Sequence, residues 1–114
     1  MSLNLNTRQV NDVTVVDVAG RITLGEGTNA MRDAMLGLIA GGSRKILLNL
    51  AEASYIDSSG FGELVSGYTS LRRVGGSLKL LNPTQRIKSL LDMTNLSAVF
   101  EVHDDEAHAV KSFG

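Results

Sequence analysis

The chain has 114 residues, 43% of them hydrophobic, with one proline, which suits one domain with one core and excludes both a second domain and a disordered chain. Its 11 basic and 12 acidic residues leave a net charge of −1, so composition offers no electrostatic basis for binding nucleic acid or an anionic membrane. The absence of cysteine removes disulfides, thiolate catalysis and cysteine-ligated metal.

Residues 3–9 alternate in part between apolar and polar and predict an edge strand, closed by the turn signal Asn11-Asp12. Residues 13–18 are rich in Val and Thr, which predicts a second strand. Val13 and Val15 point to one face and Val16 and Val18 to the other, so this strand belongs inside a covered sheet. Ala19-Gly20 ends it or marks a bulge, and residues 21–24 read as a short continuation. Residues 25–28 read as an exposed loop, with Thr28 or Asn29 placed to cap the following helix. Met31, Ala34, Met35, Leu38 and Ile39 make its apolar stripe, and Gly41-Gly42 stops it.

Residues 44–50 form an apolar run of strand length. A loop is expected over 51–57, then a helix from about Ser59 to Val74 whose buried stripe is Phe61, Leu64, Val65, Tyr68 and Leu71. Another apolar run, 77–81, follows Gly75-Gly76. Strand, helix and strand at this spacing form a crossover unit with parallel pairing. Asn82-Pro83 predicts the start of a further helix, with Asn as cap and Pro at the first helical position. Ile87, Leu90, Leu91 and Met93 are its candidate buried residues. Residues 98–102 read as a last edge strand, and Asp104-Asp105-Glu106 load the start of a final short helix with acid. The expectation is an α/β fold: one domain over residues 1–114, with a mixed sheet of four to five strands covered by about four helices.

Catalytic and cofactor patterns are weak. No glycine stands two residues before Ser58 or Ser59, as a nucleophile elbow requires, and the only histidines, His103 and His108, fall near the C-terminus. That segment reads as a solvated acidic helix start rather than a metal site. Gly25-Glu26-Gly27-Thr28-Asn29-Ala30 matches G-x-G-x-x-A, but no acidic residue ends the next strand, so it reads as a loop feeding a helix. Gly41-Gly42-Ser43-Arg44-Lys45 lacks the spacing of a phosphate loop. No catalytic residue, metal or cofactor is therefore expected. No apolar run approaches the roughly 20 residues of a membrane span. Met1-Ser2-Leu3-Asn4 lacks the basic and apolar regions of a signal peptide, so a cytoplasmic location is expected.

The stretch Asp57-Ser58-Ser59-Gly60 remains. Asp and Ser both cap helices, so the cluster can serve only to start the helix. One cap needs one such residue, however, and three in a row leave spare hydroxyls beside small glycines, where another molecule's backbone can approach. Ligand chemistry in crossover units gathers beyond the carboxyl ends of strands. A phosphate on either serine would meet the positive end of a helix dipole. The residues alone leave both readings open: a cap, or a phosphoacceptor or docking site.

Leu48-Asn49-Leu50 followed by Tyr55-Ile56-Asp57-Ser58-Ser59-Gly60-Phe61-Gly62 resembles the signature of bacterial anti-sigma factor antagonists, members of the STAS domain family. The resemblance extends over nearly the whole chain, through residues 16–20, 75–80 and 87–96. It implies a mixed sheet with helices packed around it. It implies a binding protein, not an enzyme, that sequesters an anti-sigma factor of the serine-kinase type and so frees a sigma factor. By the same resemblance the kinase phosphorylates the serine directly after the motif aspartate, here Ser58, and a serine phosphatase restores it. Asp57, Ser59, Gly60, Phe61, Thr23, Glu26 and Gly27 are then the expected partner-binding residues, with Glu26 the charged contact. One departure from the family pattern is Thr23, which stands where an acidic residue is common. The alternative within the family is a scaffold subunit of a larger signalling assembly or of a lipid or anion transporter.

Overall fold

The computed structural model describes residues 3–114; Met1 and Ser2, where the signal-peptide reading begins, lie outside them. Five strands form one sheet in the order β1-β2-β3-β4-β5. They are β1 (Asn4–Val10), β2 (Val13–Ile22), β3 (Lys45–Ile56), β4 (Ser77–Leu81) and β5 (Val102–His103). β1 and β2 pair antiparallel through the Asn11-Asp12 turn, where Asn11 takes a φ of 56°. The β2/β3, β3/β4 and β4/β5 pairs are parallel. Helices α1 (Glu26–Ala40), α2 (Ser58–Arg73), α3 (Gln85–Met93) and α4 (Glu106–Ser112) complete the expected mixed α/β architecture.

The alternation in β2 explains the layering. Val16 and Val18 join Ile46 and Leu48 in the larger core, which Met31 and Met35 of α1, Leu64 and Leu71 of α2, and Ile87 and Leu91 of α3 complete. Val13 and Val15 face the other way with Leu47 and Leu81, onto Ala109 and Val110 of α4. On that second side Arg8 of β1 bridges Asp17 of β2 at 2.8 Å and Glu106 of α4 at 2.6 Å. The Arg8 guanidinium holds the Asp17 carboxyl below the usual carboxylate range. Because Leu64 is 1% exposed within the larger core, Leu64→Ala is expected to cost ~2–5 kcal/mol in urea unfolding. A loss under about 1 kcal/mol would place α2 off the sheet.

Several boundaries differ from the sequence reading, each for a local reason. Residues 51–56 are strand, not loop: β3 continues to Ile56 beside a β2 that runs unbroken to Ile22. Register shifts between Asp17 and Ala19 and between Gly20 and Arg21 break the alternation there, leaving only Ala53 and Ile56 buried in the extension. Helix α1 starts at Glu26 with Gly25 as N-cap, so neither Thr28 nor Asn29 caps it. Thr28 instead sits in the first turn, where its hydroxyl accepts the Gly25 N–H and donates to the Gly25 carbonyl. Helix α3 is capped by Thr84, whose side chain accepts the Ile87 N–H, while Asn82 takes a left-handed φ of 52°. Met93, placed in the buried stripe by spacing, is 78% exposed because α3 ends there. The final edge strand shrinks to Val102–His103, since Leu96–Ala98 form a 3-10 turn.

Candidate functional site

Asp57 is the hinge between β3 and α2. It is the N-cap of α2, in extended conformation, and its Oδ1 accepts the Gly60 N–H at 2.8 Å. Its Oδ2 accepts the Leu24 N–H at 3.0 Å, across from the end of β2. One carboxylate thus closes the start of α2 and pins the β2–α1 connection beside it. The Leu24 N–H first, then the Gly60 N–H, hold the Asp57 carboxyl below its usual range. It is a committed anionic acceptor, not a base poised to take a proton. The Leu24 amide proton is therefore expected to exchange markedly faster with solvent in Asp57→Ala than in the wild type. Unchanged protection at Leu24 would break the proposed tether.

The structure separates the predicted site residues into surface and support. Ser58, the first residue of α2, is exposed, and Ser59 is half-buried; neither side chain has a hydrogen-bond partner among the described residues. Glu26 is exposed at the first position of α1. Thr23 is half-buried, and its carbonyl accepts the Thr28 N–H at 3.0 Å. Phe61 is 7% exposed and lines a groove with Ser58. Two predicted contact residues are instead packing positions. Gly60 is buried so tightly that a Cβ would lie 2.2 Å from the Ile22 carbonyl oxygen. Gly27 lies in α1 rather than in an exposed loop, is buried, and leaves only 2.7 Å between a Cβ and the Arg21 carbonyl oxygen. Neither offers a surface to a partner, and both let a helix start press against the end of β2.

The groove beside Ser58 has a volume of about 620 Å³. Tyr55, Ile56, Asp57, Ser58 and Phe61 form one side; Arg86, Leu90 and Thr94 of α3 and its C-cap form the other. Over the Tyr55 ring lie two guanidiniums, Arg21 with its central carbon at 4.9 Å from the centroid and Arg86 at 5.1 Å. Arg21 is also the ladder partner of Tyr55 in the β2/β3 pair. Sequence reasoning missed this cluster, since its members are 31 or more positions apart and no local spacing joins them. It also gave no separate weight to Leu24, whose side chain is 76% exposed while its amide is tethered. The edge of the site is braced by Arg32 of α1, which bonds Glu63 of α2 at 2.6 Å. The two histidines pair elsewhere, His103 with Glu101 and His108 with Asp105, so neither is set up as a base for Ser58.

Residues 4–109 match the STAS domain family. An anti-sigma-B factor antagonist of Bacillus subtilis is 29% identical over 102 residues, which span 90% of this chain and 92% of that protein. A crystal structure of an anti-sigma factor antagonist from Mycobacterium paratuberculosis matches with a TM-score of 0.88 at 18% identity, over 98% of this chain and 94% of that one. The Bacillus cell fate determinant SpoIIAA, solved in its phosphorylated form, matches with a TM-score of 0.75 at 22% identity, over 96% and 98% of the two chains. With the family matched over nearly its whole length and the same sheet and helices in place, this chain belongs to the STAS domain family.

Proposed function

We propose that this chain is an anti-sigma factor antagonist whose docking surface is switched by phosphorylation of Ser58. Residues 1–114 act as one module in the cytoplasm. The module sequesters an anti-sigma factor that is also a serine kinase, and so frees a sigma factor for transcription. Its contact surface is Ser58 with Asp57, Ser59 and Phe61 around it, extended by Thr23, Leu24 and Glu26. The observation that carries this reading is the exposed Ser58 hydroxyl, unpartnered among the described residues, on a surface where Asp57 ties down the Leu24 and Gly60 amides. Rigid contact surfaces lose little entropy on binding. The relatives named as antagonists support the partner class, and a relative solved in phosphorylated form supports the modification.

In the modification, a bond forms between Ser58 Oγ and the γ-phosphorus of a nucleoside triphosphate, and the bond to the nucleoside diphosphate breaks. The hydroxyl proton goes to a base on the kinase. A serine phosphatase reverses the state by hydrolysis. The test is incubation with serine-kinase anti-sigma factors from the source genome and ATP, read by intact mass. Wild type and Ser59→Ala should each gain one phosphate, and Ser58→Ala none. Phosphate on Ser59 alone would overturn the assignment.

A further inference from the structure

The N-terminus of α2 alone does not make a good home for a phosphate on Ser58. Its Gly60 N–H is already taken by the Asp57 carboxylate, and that charge sits immediately beside Ser58. A phosphoserine brings a further charge of about −1.5 to −2 at neutral pH. A compensating cation must come from outside the helix.

Two are in place. Arg86 stands in the first turn of α3 and lines the same groove as Ser58. Its guanidinium lies over Tyr55, as does that of Arg21 from the end of β2. Other arginines of the chain are committed, Arg8 to Asp17 and Glu106 and Arg32 to Glu63. Arg21 and Arg86 have no carboxylate or hydrogen-bond partner among the described residues. Stacking on a ring uses the face of a guanidinium and leaves its edge donors free for two parallel bonds to a phosphate. Neither charge is neutralised by a carboxylate among the described residues, so a dianion brought to the groove gains from both. Of the groove's lining residues, Asp57, Tyr55 and Arg86 are titratable or charged, and Arg21 adjoins them over the Tyr55 ring.

We propose that Arg86, assisted by Arg21, receives the phosphate of phosphorylated Ser58, with Tyr55 as the platform that orients both guanidiniums. This rests on the reading of Ser58 as phosphoacceptor. The phosphate then lies across the groove toward α3 rather than projecting into solvent, and it covers surface that the unmodified protein leaves open.

The experiment needs neither kinase nor partner, so it stands apart from the test of that reading. Phosphoserine is placed at position 58 by translational incorporation, and its second ionisation is followed by phosphorus NMR from about pH 4 to about pH 8. Arg86→Gln should raise the proton affinity of the phosphate about threefold to tenfold over the wild-type chain. Arg21→Gln should raise it less, and Arg86→Lys should fall between Gln and wild type, because it keeps the charge and loses the fork. Lys88→Gln removes an exposed cation from the same helix that does not line this groove, and should leave the titration within about twofold. An Arg86→Gln curve that overlays wild type, or a Lys88→Gln effect as large as that of Arg86→Gln, would overturn the proposal.

Discussion

Gly60→Ala should unfold this protein far more readily than any other single-methyl change near the site. The added Cβ would stand 2.2 Å from the Ile22 carbonyl oxygen and 2.6 Å from Ile56 Cγ1. Non-bonded carbon contacts settle at about 3.5–4.0 Å, so the start of α2 would have to retreat by more than ~1 Å. That retreat stretches the Asp57 N–H bond to the Ile22 carbonyl, now 3.3 Å, and the Leu24 N–H bond to the Asp57 carboxylate, now 3.0 Å. Overpacking of this kind costs ~1–3 kcal/mol, and each lost hydrogen bond adds ~0.5–1.5 kcal/mol. The expected total of about 2–6 kcal/mol is a large part of the ~5–15 kcal/mol that holds a typical domain. Gly62 supplies the control two residues along the same helix. Nothing lies within 4 Å of its Cβ position, and Gly62→Ala should stabilise by up to ~1 kcal/mol. Equal urea midpoints for the two variants would mean that α2 does not rest on the end of β2.

Ser58→Asp should lose partner binding while keeping the fold. The side chain is exposed in the first turn of α2, where a carboxylate gains from the helix dipole and loses to the neighbouring Asp57. These local effects oppose each other, so the thermal midpoint should barely move. At an interface the balance differs. Excluding water leaves the new charge poorly solvated against a surface shaped for a hydroxyl. A mismatched buried charge typically costs ~2–5 kcal/mol, a dissociation constant raised roughly thirtyfold or more. Ser58→Ala removes the hydroxyl without adding charge and should bind constitutively. A Ser58→Ala variant as weak as Ser58→Asp would assign the hydroxyl itself, not its modification, as the determinant.

The parts legible in the sequence were those with a strong period. The Val13, Val15 and Val16, Val18 alternation placed β2 inside the sheet, and the Phe61, Leu64, Leu71 stripe placed α2 on it. The order of β3 and α2 followed from these, and with it a place for Ser58 near the helix start, although the strand was expected to end at residue 50. Boundaries were less legible where one residue competes with another for the same role. Asn82 looks like the cap of α3, but its left-handed backbone spends it on the turn and leaves Thr84 to cap. Glycine-rich residues 25–27 look like a flexible loop, yet at Gly27 the missing Cβ serves close packing. The irregular β2/β3 register hid the extension of β3, since bulges erase the alternation that marks a strand. The Arg21, Tyr55 and Arg86 stack was invisible because three separate elements must fold before its members meet.

In the proposed switch, one phosphate on Ser58 decides whether this surface can dock. Titration calorimetry with the cognate anti-sigma factor tests it most directly, using the chain unmodified and the chain carrying phosphoserine at 58. The unmodified chain should bind, and the phosphorylated chain should bind at least roughly thirtyfold more weakly with an unchanged circular dichroism spectrum. Equal affinity of the two forms would rule out Ser58 phosphorylation as the switch.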